Sequence, residues 1–464
     1  MFFGRERELK NLNMLYSSGK FEMAIIYGRR RVGKTTLINE FCKDKKTIFF
    51  SAFESTEQAN LVAFSNSILT LTLNGSNSTP VFGNFSQAFE HVNEISRDER
   101  IVMVIDEYPY LANSEPSISS VLQNYIDHKF KNSKLFIILC GSSMSFMENQ
   151  VLGYKSPLYG RRTAQFKILP FDYLTTANWV KRYSFENQAI VYGVTGGVPL
   201  YVEKFKDTIS IKKNLLESLF EQNAFLFEEP SNLLKQELRE PQKYNAIITA
   251  IANGSSKLNE IATKSGIENS GCVNYLKNLI SLGIVRKESP VTEKESKKTI
   301  YQIDDNLFRF WYRFVPANMA AIASEKICES YDRSIEPFIS EYMGIVFEQI
   351  CKDYLLYRRK KLPISLGQIG QWWGTNPNRK IQAQIDIVLT SPDEKQAIFA
   401  ECKYRNEKMD EDILDRLIEN AALLKGIEKK HYFLFSKSGF SNKLILRAKR
   451  EKVVLVTLED LFQV

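Results

Sequence analysis

Residues 23–41 read MAIIYGRRRVGKTTLINEF. Met23–Tyr27 is a short apolar run, which predicts a buried strand. Gly28-x-x-x-x-Gly33-Lys34-Thr35 follows, and Thr36–Cys42 continues as an amphipathic helix. Strand, glycine loop and helix in that order are the context the P-loop pattern requires. The glycines let backbone N–H groups converge on phosphates, and the helix N-terminus adds the positive end of its dipole. Gly28, Gly33, Lys34, Thr35 and Thr36 are therefore the expected phosphate-binding turn. Lys34 would reach the β- and γ-phosphates and Thr35 would ligate magnesium. ATP and Mg2+ follow as the expected cofactors.

Working outward, RIVMVIDEYPYL (100–111) is an apolar strand ending in Asp106 and Glu107. An acid at the carboxyl end of a buried parallel strand faces the crevice where ligands bind in open α/β sheets. Asp106 is placed to hold the magnesium and Glu107 to polarise the attacking water. A third strand, KLFIILCGSSMSFME (134–148), ends in Ser142 and Ser143; each serine either senses the γ-phosphate or caps the next helix. SPLYGRRT (156–163) offers Arg161 and Arg162, which either stabilise transition-state charge, in cis or from a second copy, or form a solvated face.

Composition narrows the class. The chain has 464 residues, 44% hydrophobic and 25% charged, which fits two or three ordinary globular domains. No run approaches the ~20 apolar residues of a membrane span, and MFFGRERELK lacks the features of a secretory signal, so a cytoplasmic protein without membrane contact is expected. The six cysteines contain no C-x-x-C pair and the three histidines are scattered, which argues against zinc and disulfides. A metal here would be held by oxygens, as magnesium or manganese are. The net charge of +8 suits a polyanionic partner.

FFGREREL (2–9), the P-loop, the D-E strand, LCGSS (139–143), SPLYGRRT and GGVPLYV (196–202) stand in one order. In that order they resemble the archaeal-type ATPase family, of the AAA/STAND group of P-loop proteins. The resemblance implies a parallel-sheet ATPase core over 1–165 and a helical lid over 166–240. It places Phe3–Arg5 near the adenine and has Gly197 and Pro199 open a lid helix over the nucleotide. Arg29–Arg31 make this P-loop unusually basic.

Between 241 and 303 the pattern changes. KYNAIITAIANG, KLNEIATKSGI and SGCVNYLKNLISLGIV read as three helices, with Gly266 in the turn between the last two. IVRKESPVTEKESKKTIYQI reads as two strands around a charged tip. This is the layout of a winged helix-turn-helix, serving either DNA or a protein partner. For DNA, Asn274, Lys277 and Asn278 on the third helix would enter a groove, with Lys287, Lys294, Lys297 and Lys298 on phosphates. LFRFWYRFV (307–315), in a segment 304–330, is expected to be packed aromatic core rather than a base-stacking platform.

Residues 331–464 read helix, strand, hairpin, helix, strand, helix, strand, an α/β layer. Side-chain alternation sets the hairpin register by matching apolar faces: Leu389 with Ile398, Ile387 with Ala400, Ile385 with Cys402. That leaves PDEK (392–395) as the loop and sets Asp386 opposite Glu401, with Lys403 on the same face. Opposed residues have Cβ atoms about 4.5–5.5 Å apart, and two carboxylates so close call for a proton or a cation between them. Asp386…Glu401-x-Lys403 after a helix resembles the PD-(D/E)XK nuclease superfamily, of restriction-endonuclease-like fold. More narrowly, FRFWYRFV, ECKYRNE and FLFSKSGFS resemble the uncharacterised domain that follows archaeal-type ATPases. The superfamily's helix acid corresponds to Glu348, and the residue before the aspartate is Ile385 rather than the superfamily's proline. The expected protein is a multidomain α/β ATPase that binds DNA and cuts it with Mg2+ or Mn2+, as a monomer or homo-oligomer. The alternative is a STAND-like switch whose nuclease-like domain is silent.

Overall fold

The computed structural model describes residues 2–72, 81–291, 298–359, 361–377 and 380–463. The chain divides into two compact units, Met1–Phe171 with Val198–Leu200, and Asp172–Gly197 with Tyr201–Val464.

In the first unit the three expected apolar runs become strands β1 (Glu22–Tyr27), β3 (Ile101–Asp106) and β4 (Leu135–Gly141), joined by β2 (Thr47–Ser51) and β5 (Ala164–Lys167), which were not singled out from the sequence. They form one all-parallel sheet in the order β2-β3-β4-β1-β5. Successive residues of β1 enter two separate cores: Met23, Ile25 and Tyr27 one, Ala24 and Ile26 the other. Helix α1 (Lys34–Cys42) closes the second with Leu37, Ile38 and Phe41. Burial on both faces is why the central strands β1, β3 and β4 read as unbroken apolar runs, while the edge strands β2 and β5 alternate. Because the strands are parallel, the loop leaving β1, Asp106 at the end of β3 and Ser142 after β4 reach the same sheet edge.

The second unit contains α2 (Pro241–Ala252), α3 (Leu258–Ser265) and α4 (Asn269–Ser281). An antiparallel ribbon of β6 (Val285–Glu288) and β7 (Ile300–Ile303) follows. Ile247, Ile261, Leu276, Ile284 and Ile303 share one core there, and Gly266 ends α3 in the left-handed conformation that glycine tolerates. Lys294 and Lys297 lie outside the described residues. Helix α5 (Asn306–Phe314) spends its aromatic run on packing. Phe308 joins the three-helix core, while Phe310 and Phe314 lie 5.2 and 5.8 Å, centroid to centroid, from Tyr342.

After α6 (Glu336–Asp353) come strands β8 (Ile369–Asn376), β9 (Ile381–Thr390) and β10 (Gln396–Lys403), helix α7 (Glu411–Ala422), strand β11 (Lys429–Ser436), helix α8 (Asn442–Glu451) and strand β12 (Val454–Thr457). The sheet order is β12-β11-β10-β9-β8. It is antiparallel from β8 to β10 and parallel from β10 to β12, a mixed sheet distinct from the first. The hairpin takes the expected register, Leu389 with Ile398 and Ile387 with Ala400. The ladder stops there. Beyond it the expected facing of Asp386 and Glu401 changes character, because the Asp386 carboxylate accepts the backbone N–H of Cys402 at 2.9 Å.

Candidate functional site

At the P-loop, Gly28 and Gly33 are required for different reasons. A Cβ on Gly28 would stand 2.3 Å from the Ile168 carbonyl oxygen, so no side chain fits. Gly33 has φ +85°, and a Cβ there would meet Pro199 Cγ at 3.9 Å. Lys34 is buried, and its ammonium donates to the Gly28 and Arg29 carbonyls at 2.9 and 3.1 Å. Burial lowers its pKa from the ordinary value, with Cys140, Glu107 and Asp106 opposing. Thr35 Oγ1 donates to Asp106 Oδ2 at 2.9 Å, which joins two hard oxygen donors at the strand edge. That pair suits magnesium, which binds through oxygens. Thr36 follows in the first turn of α1.

Glu107 sits at φ +51°, a costly conformation for a residue with a Cβ and one that concentrates at functional sites. Its Oε2 accepts from Ser142 Oγ at 2.9 Å. Ser142 does not cap the next helix, whose N-cap is Ser143, and gives its hydroxyl to the acid instead. Arg5 donates to the P-loop carbonyl of Val32 at 3.0 Å and stacks over Phe171 at 4.8 Å, so it braces the loop. Arg30 reaches Tyr110 OH at 2.9 Å. Arg161 is not brought to this group: its Nε lies 3.0 and 3.1 Å from the two Asp127 oxygens, and its Nη1 donates to the Pro157 carbonyl at 2.8 Å. Arg162 is half-buried in the same turn.

In the second unit Asp386, Glu401 and Lys403 do converge. Lys403 Nζ is 2.5 Å from Glu401 Oε1 and 3.6 Å from Asp386 Oδ2. The side chains keep 9% (Asp386), 18% (Glu401) and 24% (Lys403) of their exposure. The cation that two facing carboxylates demand is thus supplied by the chain itself, as the Lys403 ammonium. Burial, then the Asp386 charge, pushes the Glu401 carboxyl up to about 7 against the pull of Lys403. Burial alone would lower Lys403, but Asp386 and Glu401 outweigh it and hold the ammonium above its ordinary value.

Glu348, on α6, feels the same field. Burial and Asp386 raise it to about 8, with Lys403 opposing. Its carboxylate accepts from Gln371 Nε2 at 2.7 Å. Among the described residues no three His, Cys, Asp or Glu side chains are grouped so as to hold a metal ion, so Glu348 stands behind the other two instead of completing a three-acid cage. Asp386 and Glu401 still fit a hard cation, since magnesium is commonly held by one or two carboxylates plus water.

Gln371 was not singled out from the sequence. It lies at an irregularity in the β8–β9 pairing between Gly370 and Trp372, the kind of bulge that re-aims a side chain. Its carbonyl accepts the Val291 N–H at 2.8 Å, which ties the ribbon segment to the acid site. An amide directly beside two tryptophans in a strand was the available signal. On α4, Asn278 gives its amide to Tyr244 OH at 2.7 Å and is committed within the module, while Asn274 and Lys277 are exposed.

Residues 2–205 match the model of an ATPase domain found predominantly in Archaea. An uncharacterised protein of Methanocaldococcus jannaschii is 32% identical over 444 residues, 94% of this chain and 96% of that protein. This chain belongs to the archaeal ATPase family. Residues 311–413 match a second model, of archaeal and bacterial proteins of unknown function. An uncharacterised ATP-binding protein of M. jannaschii is 48% identical over 46 residues, 10% of this chain and 78% of that one. Among solved structures, a Walker-type ATPase of Pyrococcus abyssi aligns with TM-score 0.52 at 20% identity, over 67% of this chain and 96% of that one; at that identity the likeness is one of fold. Among the described residues no helix is long and apolar enough to cross a membrane.

Proposed function

We propose that this ATPase couples nucleotide turnover to binding and metal-dependent cleavage of duplex DNA. In this reading residues 166–240 are a helical lid, 241–303 a winged helix that binds DNA, 304–330 a packed linker and 331–464 a PD-(D/E)XK nuclease-like domain, all in the cytoplasm. The observation that carries it is the convergence of Asp386, Glu401 and Lys403, with the Lys403 ammonium 2.5 and 3.6 Å from the two carboxylates.

On the ATPase side, Lys34 exchanges the Gly28 and Arg29 carbonyls for the β- and γ-phosphates, as loop lysines do. Thr35 and Asp106 hold magnesium, and Glu107 leaves Ser142 to orient the attacking water. Because Arg161 is engaged by Asp127, Arg162 is the arginine left to meet transition-state charge. At the other site Asp386 and Glu401, with Glu348 behind, would hold a magnesium or manganese ion, which would supply charge neutralisation at the scissile phosphate. Lys403 then turns from its two carboxylates to orient water or stabilise the phosphate's developing charge.

ATP turnover and plasmid cleavage measured side by side test the proposal. Lys34→Ala loses ATP turnover, and Asp386→Ala loses cleavage while hydrolysing ATP at the wild-type rate. If Lys34→Ala retains full turnover the P-loop assignment falls. A regulatory switch with a silent nuclease-like domain is the second reading, favoured by Lys403 already compensating both carboxylates. An uncut plasmid with wild-type protein selects it.

A further inference from the structure

The ribbon and the starts of α3 and α4 enclose a groove of about 500 Å³. Lys257, Lys287, Asn259, Asn269, Thr299 and Tyr301 line it. Lys287 pairs with Tyr301 across the ribbon, and the Tyr301 N–H donates to the Ser256 carbonyl at 2.7 Å. The backbone therefore fixes Lys257 and Lys287 on either side of Tyr301.

The charge of this groove is positive for a specific reason. Glu260 turns its carboxylate onto the backbone ahead of α3, accepting the N–H groups of Ser256 and Lys257 at 3.1 and 3.2 Å. Glu288 and Asp304 are drawn to Arg286 at 3.1 and 3.2 Å. Lys257 and Lys287 are exposed, and among the described residues neither forms an ion pair. Two exposed ammonium groups beside two side-chain amides in one concavity complement a chain of phosphodiesters.

We propose that this groove, rather than the exposed face of α4, grips the phosphate backbone of duplex DNA, with Lys257 and Lys287 each neutralising one phosphate. The assignment rests on the DNA-binding reading above. It gives Asn259 and Asn269 the positions from which an amide reaches sugar–phosphate or base edge. Asn278, committed to Tyr244, takes no part.

Anisotropy of a short fluorescein-labelled duplex, titrated with full-length protein over a salt series, tests it. Each neutralised phosphate contributes about 0.9 to the slope of log affinity against log salt. The double variant Lys257→Ala/Lys287→Ala should lose about 1.8 of that slope. Between about 50 and about 200 mM salt, wild-type affinity should then fall roughly twelve-fold more than the variant's. Lys277→Ala, on the face of α4, should match wild type, and Lys257→Arg/Lys287→Arg should retain the full slope. If wild type binds and the alanine pair leaves the slope unchanged, the groove assignment is overturned while the DNA reading stands. If wild type does not bind the duplex at any salt, both fall.

Discussion

Replacing Lys403 with Met keeps the length of the side chain and removes its charge. In the native site the ammonium lies 2.5 Å from Glu401 and 3.6 Å from Asp386, so the variant leaves two mostly buried carboxylates with no cation between them. Deleting one partner of a buried pair costs about 3 kcal/mol at the lower end of the usual range, the end suited to groups that still touch solvent. Protonation limits that loss. Glu401 stands at about 7 even with the lysine present, above its ordinary value, so its contribution to stability is full at low pH and fades as pH rises through about 7. Near pH 5 Glu401 is neutral in both proteins, and the variant loses only the longer contact to Asp386, about 1 kcal/mol. Near pH 8 the loss rises to about 2.4 kcal/mol, because each pH unit above about 7 adds at most about 1.4 kcal/mol while the variant holds Glu401 neutral. All four tryptophans, Trp179, Trp311, Trp372 and Trp373, belong to the second unit, so tryptophan fluorescence in a urea titration follows its unfolding alone. Lys403→Met/Glu401→Gln should recover most of the loss at high pH, and added manganese should stabilise Lys403→Met more than wild type. A loss of equal size at both pH values, or none, would refute the view that Lys403 compensates this pair.

Gly28→Ala should abolish nucleotide binding and destabilise the first unit, because its Cβ would meet a backbone oxygen, not a movable side chain; unchanged ATP affinity in a filter-binding assay would contradict this. Arg161→Ala should lower the thermal midpoint of the first unit modestly, through the lost Asp127 pair, and leave ATP turnover per folded molecule within about two-fold of wild type. A collapse of turnover at unchanged stability would return Arg161 to the catalytic centre. Gln371→Leu should weaken manganese binding by about ten-fold, the lower end for a residue that orients a metal-site carboxylate; calorimetry on the nucleotide-free protein would show it, and identical isotherms would remove Gln371 from the site.

Much of this was legible because it is local. The P-loop follows from spacing within β1 and α1, and the hairpin register follows from alternation across Ile385–Leu389 and Ile398–Cys402. The remainder depends on partners far apart in the chain. Asp127 captures Arg161 from 34 positions away and Tyr244 captures Asn278 at the same separation; no periodicity encodes either. Gln371 reaches Glu348 through an irregularity that alternation rules assume away. Asp386 leaves the ladder to take a backbone N–H, and Lys403 then folds back between the acids. The sequence pattern located the charges of that site, and three-dimensional contact decided what balances them.

The proposed role of Asp386, Glu401 and Lys403 is to cut phosphodiesters with a divalent cation. The most direct measurement is a time course of supercoiled plasmid with wild-type protein, first stripped of metal by chelation and then given manganese, with Asp386→Ala run beside it. Nicked or linear product is expected only for wild type and only after manganese is added. Plasmid that stays supercoiled with manganese and ATP present, or cleavage that persists in Asp386→Ala, would contradict it.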